Sequence, residues 1–165
     1  MSINEFLRSR QIPFETLLHH PARSAAKLAQ SVHLPGKMVA KPVLLKAGSQ
    51  YVLAVLPATH RVDFERLGMV LGAGELRLAS EDEVEQVFTD CERGAVPPFG
   101  HLYGLRTVID ASLAGGTEIV FEANLRHEGV RMRFRDYEAT ELPMHARFAT
   151  EIAPRQRRAS HGAQG

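Results

Sequence analysis

The run Gly94-Ala-Val-Pro-Pro-Phe-Gly-His-Leu-Tyr-Gly104 packs three glycines, two adjacent prolines and two aromatics into eleven residues. No regular helix or central strand holds such a run. Proline fixes φ and removes a donor, and each residue before a proline is pushed toward extended geometry. Glycine permits positive φ and close approach of another molecule to the backbone. Two readings are open. The prolines stiffen the loop and leave amide N–H groups pointing at a ligand, a cradle for an anion or a carbonyl oxygen. Alternatively the run is only a tight connection between two elements.

The 165 residues suit one domain with a real core. No apolar run approaches the roughly 18 residues that span a membrane, and the N-terminus lacks the blocks of a signal peptide. A single cysteine, Cys91, excludes an internal disulfide framework. These features predict a cytoplasmic protein with no membrane partner. Net charge is +1, but its distribution is uneven. From Thr16 to Val62 there is no Asp or Glu, while Arg23, Lys27, Lys37, Lys41, Lys46 and Arg61 all fall there. Such a span attracts phosphates, or it merely solvates scattered faces. Residues 1–150 read as the domain, and 151–165 as a basic, disordered tail.

Ser2 caps a helix over 2–10, and Phe14 to His19 reads as a strand. Pro21 and Ser24 open a helix over 25–32. Two apolar runs, 38–45 and 51–56, flank Gly48-Ser49 and predict a hairpin, with Pro42 marking an edge or a bulge. Asp63 caps a helix to about Leu71, 76–78 is a short strand, and Ser80 with Glu83 forms a capping box for a helix to Phe88. Strands follow at 107–110, 118–121 and 129–134, the last alternating Val130, Met132 and Phe134 with Arg131, Arg133 and Arg135. A helix from about Asp136 ends at Pro143. Without a βαβ rhythm, these elements predict an α+β domain with a curved, mixed, mostly antiparallel, barrel-like sheet and flanking helices.

Lys41 lies mid-strand among Met38, Val39, Val43 and Leu44, so its ammonium needs a carboxylate, a carbonyl or a ligand phosphate. An edge lysine turned to water reads equally well. His19 and His20 sit on a candidate pocket rim, and His101 lies in the central loop. The eight histidines and one cysteine show no metal-ligand spacing, so no metal and no other cofactor is expected. Cys91 is near enough in sequence to His101 for a thiol nucleophile, though no local signature supports one.

Phe88-Thr-Asp-Cys-Glu-Arg-Gly-Ala-Val-Pro-Pro-Phe-Gly-His-Leu-Tyr-Gly104 resembles the YbaK and prolyl-tRNA-synthetase-associated editing family. It carries the family's glycine-x-x-x-proline loop as Gly94 to Pro98, then Phe99-Gly100. His20-Pro21 before a helix, Lys41 on the next strand, Val62-Asp63 and Leu78 to Glu83 also fit, so the resemblance covers about residues 10–143. It implies a free-standing trans-editing deacylase that hydrolyses the ester between a wrong, small amino acid such as Ala, Ser or Cys and the acceptor end of a tRNA. A synthetase partner is compatible with it. Lys41 would anchor the substrate by its phosphate or its acyl end. Backbone N–H groups from Gly94 to Gly100 would hold the ester carbonyl. Val39, Leu45, Val96, Pro98 and Phe99 would line a small acyl pocket, with His20, His101 and Asn124 as further contacts. No side-chain nucleophile is required, because the ester is already activated and needs an oriented water. One departure stands out: relatives carry a glycine-threonine-histidine turn where this chain has Asn124-Leu-Arg126. Asn124 still tolerates positive φ.

Two other classes remain: a non-catalytic RNA- or DNA-binding module using the same basic span, and a hydrolase centred on Cys91. Acyl group, cognate tRNA and oligomeric state are not written in the sequence.

Overall fold

Val43 to Leu45 and Val52 to Leu56 are apolar runs that a Gly48 turn at φ +63° can fold back on each other. In the computed structural model, which describes residues 2–18, 29 and 34–152, they form strands β2 (Ala40–Ala47) and β3 (Gln50–Pro57), paired antiparallel from Ala40↔Pro57 to Ala47↔Gln50. The expected hairpin is present. Pro42 lies where the outer edge of β2 is unpaired, because β5 (Leu76–Leu78) covers only Leu45 to Ala47 on that side. A residue with no N–H to give belongs at such an edge.

Beyond β3 the sheet continues parallel through β6 (Arg106–Asp110) to β9 (Met144–Ala146), giving the order β5-β2-β3-β6-β9. A second sheet, β1-β8-β7, is antiparallel and uses β1 (Glu15–Leu18), β7 (Glu118–Ala123) and β8 (Leu125–Arg133). A third pairs β4 (His60–Val62) with β10 (Ala149–Glu151). The domain is α+β with mixed sheets, as expected, but the sheets do not close into one barrel. The two large ones touch through one isolated parallel bridge, Val39↔Val120.

The helices are α1 (Ile3–Ser9), α2 (Phe64–Leu71), α3 (Glu81–Val87), α4 (Ala111–Ala114) and α5 (Phe134–Glu141). Ser2 and Asp63 cap α1 and α2 through their side chains, and Ser80 with Glu83 closes the full capping box of α3. None is long and apolar enough to cross a membrane among the described residues. Three differences from expectation have local causes. Phe134 opens α5 rather than ending a strand, though it still points inward with Val130 and Met132. β4, β9, β10 and α4 are three- or four-residue elements too short to show a period. Glu151 and Ile152 belong to the fold, through β10 and an Ile152 N–H bond of 2.9 Å to the Thr59 carbonyl, so the domain runs past 150. The helix over 25–32, apart from buried Ala29, and the tail from 153 lie outside the described residues.

The core divides along the sheets. Ala40, Leu44, Phe99, Phe121, Val130 and Tyr137 belong to one cluster, and Leu45, Val52, Leu56, Leu67 and Phe148 to another across β2 and β3. Val39 and Val120 share a third with Ala29 and Ala58.

Candidate functional site

The glycine-proline run is a braced loop, held at both ends. At its start, Gly94 takes φ +84°, and the Ala95 N–H closes a turn on the Glu92 carbonyl at 3.0 Å. Asn124, at φ +68°, joins the loop to the turn between β7 and β8. The Glu92 N–H donates to its carbonyl (2.8 Å), and its own N–H donates to the Ala95 carbonyl (3.0 Å). Its side-chain oxygen accepts the Ile3 N–H at 2.9 Å, and its amide nitrogen lies near Cys91 Sγ and the Tyr103 hydroxyl. The expected positive φ at Asn124 is found, but its side chain is a brace rather than a surface for substrate.

At the far end, Phe99 is fully buried, with its ring edge-on to Phe121 (5.4 Å between centroids) and Tyr137 (5.1 Å). The Tyr137 hydroxyl donates to the Pro98 carbonyl at 2.7 Å. The Gly100 N–H donates to Thr107 Oγ1 (3.1 Å), and that hydroxyl donates to Glu141 (2.6 Å). The buried Glu141 carboxylate also takes the His101 N–H and pairs with the His101 ring. Thr107 and Glu141 are residues that sequence reading missed, since a buried Thr and a helix-end Glu carry no local pattern.

These bonds narrow the set of available donors. Pro97 and Pro98 have no N–H, the Phe99 N–H closes on the Pro97 carbonyl, and Gly100 is taken by Thr107. The expectation that Gly100 offers a donor is corrected: its amide is spent inside the fold. Among the described residues, only the Gly94 and Val96 amides within Gly94 to Gly100 have no hydrogen-bond acceptor. Both residues line a cleft of about 430 Å³ whose apolar walls include Pro42, Val43, Leu44, Val84 and Phe88, with Glu81, Glu85, Glu92, Arg93 and Arg126 as its charged residues. The acyl-pocket expectation is likewise corrected in part. Val96 is on the cleft, but Val39, Leu45 and Phe99 are core residues with no exposed surface, and Pro98 is buried. Pro42 to Leu44 supply the apolar wall instead.

Lys41 precedes that wall, half-buried in β2 opposite Leu56. No carboxylate among the described residues pairs with it, and burial alone pulls its ammonium below the usual lysine range. Of the other basic residues of the acid-free span, Lys46 pairs with Glu83 at 3.8 Å, while Lys37 and Arg61 are exposed. His101 is on the surface side of the loop, and His20 lies outside the described residues. Burial pushes the Cys91 thiol up to about 12, so it is not a thiolate nucleophile near neutral pH. Arg126 lines the cleft. Glu122, in β7, is buried, and one of its oxygens has no hydrogen-bond partner among the described residues. It too was missed, although an acid inside the apolar run from Ile119 to Ala123 is a visible signal.

The sequence profile of the aminoacyl-tRNA editing domain matches residues 19–140. The multifunctional Ser/Thr-tRNA deacylase ProXp-y of Escherichia coli K12 is 36% identical over 90 residues, covering 54% of this chain and 53% of that protein. A proline–tRNA ligase of Lactobacillus gasseri is 33% identical over 98 residues, 59% of this chain and 17% of the ligase. The chain thus spans about half of the first relative and a small part of the second. A solved structure described as a candidate trans-editing enzyme for prolyl-tRNA synthetase superposes with TM-score 0.77 at 21% identity, over 90% of this chain and 94% of that one. A hypothetical protein of known structure reaches 0.82 at 17% identity, over 90% and 99%. At such identities the likeness is one of fold.

Proposed function

The chain belongs to the aminoacyl-tRNA editing domain family, and on that premise we propose that it is a trans-editing deacylase acting on the acceptor end of a tRNA that carries a small, wrong amino acid. The observation that carries this reading is the pair of unclaimed amides, Gly94 and Val96, on a cleft walled by the residues next to Lys41. Two N–H groups on a rigid turn are suited to an oxyanion that forms during attack on an ester. The bracing by Asn124, Tyr137 and Thr107 fixes them before substrate arrives, so little reorganisation is left for the reaction. Water adds to the carbonyl carbon and its proton passes to the departing ribose oxygen. The ester C–O bond breaks, releasing free amino acid and intact tRNA. The lysine holds a phosphate of the terminal nucleotide. No nucleophilic side chain takes part, in keeping with the raised Cys91 thiol.

The names of the relatives support serine and threonine as acyl groups and an association with prolyl-tRNA synthesis. A panel of alanyl-, seryl-, threonyl- and cysteinyl-tRNA tests the reading, with Lys41→Met as the control that keeps the stem and removes the charge. The expected result is hydrolysis of at least one ester by wild type and a loss of turnover in the variant. Binding should weaken only modestly, because one phosphate contact changes the salt slope by only about 1. No hydrolysis above background across the panel rejects the reading. Salt-dependent tRNA binding without turnover would instead favour a non-catalytic module.

A further inference from the structure

β2 and β7 meet at Val39↔Val120 and then part. Pro42, two residues beyond the next position on β2, has no N–H with which to extend the pairing. In a parallel pair, residues in register point to the same side, and every second residue returns to it. The burial follows this rule: Val39 and Val120 share one cluster, while their successors Ala40 and Phe121 share another. Two residues further along each segment, Lys41 of β2 and Glu122 of β7 fall on the side of Val39 and Val120 by this alternation, at the point where the two strands have parted.

Both groups are short of partners. Lys41 has no carboxylate among the described residues, and the two do not pair with each other. Glu122 is 6% exposed, and its Oε2 is buried with no hydrogen bond among the described residues. The charges it senses are Arg126, which favours its ionised form, and Glu92, which opposes it, and both of these line the cleft. A buried carboxyl with an unpaired oxygen costs stability and has no evident use in packing. Across a seam, an unpaired cation and an unpaired carboxyl are complementary to a ligand with an anion at one end and an ammonium at the other. The end of an aminoacyl-tRNA has this form, with a phosphate and the α-ammonium of the amino acid on either side of the ester.

We propose that Glu122 receives the α-amino group of the aminoacyl ester, opposite the phosphate held by Lys41. This rests on the deacylase reading above and adds a specificity-determining contact to it. Burial pushes the Glu122 carboxyl up to about 8, and an ammonium brought against it favours its ionised form. The contact explains how the site distinguishes an aminoacyl ester from an N-blocked or peptidyl ester, which has no basic nitrogen to offer.

The test compares each panel ester that wild type hydrolyses with its N-acetylated form, in wild type and in Glu122→Gln. Wild type should prefer the free amine by roughly 10- to 100-fold in kcat/KM, the worth of a charge-assisted hydrogen bond at a buried site. In Glu122→Gln that preference should collapse toward unity. A second measurement is independent of turnover and of the variant: calorimetric binding of 3′-serylamido-adenosine 5′-phosphate and of its desamino counterpart to wild type. The desamino ligand should bind at least about tenfold more weakly. Equal rates on free and blocked esters, equal binding of the two ligands, or an undiminished preference in Glu122→Gln overturns the assignment while leaving the deacylase reading intact. Loss of all ester hydrolysis in wild type would overturn both.

Discussion

Gly100→Ala tests whether the loop is held in the manner described. A Cβ added at Gly100 falls 2.4 Å from Thr107 Oγ1 and 3.3 Å from both the Cβ and the carbonyl oxygen of Leu105. The hydroxyl has little room to retreat, because it is buried and bonded to both the Gly100 N–H and Glu141. Overpacking of this kind costs about 1–3 kcal/mol, and breaking the Gly100 bond adds about 1 kcal/mol. For a domain of this size each kcal/mol moves Tm by roughly 2–4 °C, so the variant should melt about 4–16 °C lower. The loop shifts at its anchor, so turnover should fall as well. Thr107→Ala removes the clashing atom, and the double variant should be less destabilised than the sum of the singles, a coupling of about 1 kcal/mol or more. Thermal unfolding by circular dichroism, alongside deacylation rates, reads both effects. A Gly100→Ala protein melting within about 1 °C of wild type, with full activity, would refute the anchoring argument.

Glu122 also sets a pH dependence of stability. Its carboxyl is raised from 4.5 to about 8, so the folded state keeps a proton that the unfolded chain releases. Stability therefore falls as pH rises between those values and levels off above them. Glu122→Gln should remove this slope and gain on the order of 1–3 kcal/mol near pH 8 in urea titrations, and a slope unchanged by the substitution would contradict the burial argument. Asn124→Ala loses the bond to the Ile3 N–H and keeps the left-handed backbone, costing about 2–4 kcal/mol. Asn124→Gly, which relieves the backbone, should be milder by about 1 kcal/mol in the same titration. Cys91→Ser should keep turnover within about twofold, since a thiol held near 12 supplies no nucleophile; loss of single-turnover activity in that variant would restore the cysteine reading.

Local chemistry was legible wherever a few consecutive residues decide the outcome. Caps at Ser2, Asp63 and Ser80, the turn at Gly48 and the edge at Pro42 each depend on one side chain and its near neighbours, and the structure has all five. The loop motif was legible for the same reason: proline and glycine restrict their own backbone wherever they stand. Lys41 stood out because an ammonium among apolar strand residues needs an explanation, and burial without a carboxylate partner keeps that question open to a ligand.

Which amide stays free and which apolar residue walls the cleft depend on partners far away in the chain. Gly100 is occupied by a threonine seven residues on, which is in turn held by a glutamate 34 residues beyond it. Phe99 and Leu45 resemble pocket residues in sequence and are core residues in space, because hydrophobicity fixes that a side chain is buried but not against what. The chain alone determined the longer elements, the stiff loop and the kinship. Only tertiary pairing decided that the chain entering β2 meets β7 at Val39↔Val120, since register between segments some eighty residues apart follows from packing rather than from local propensity.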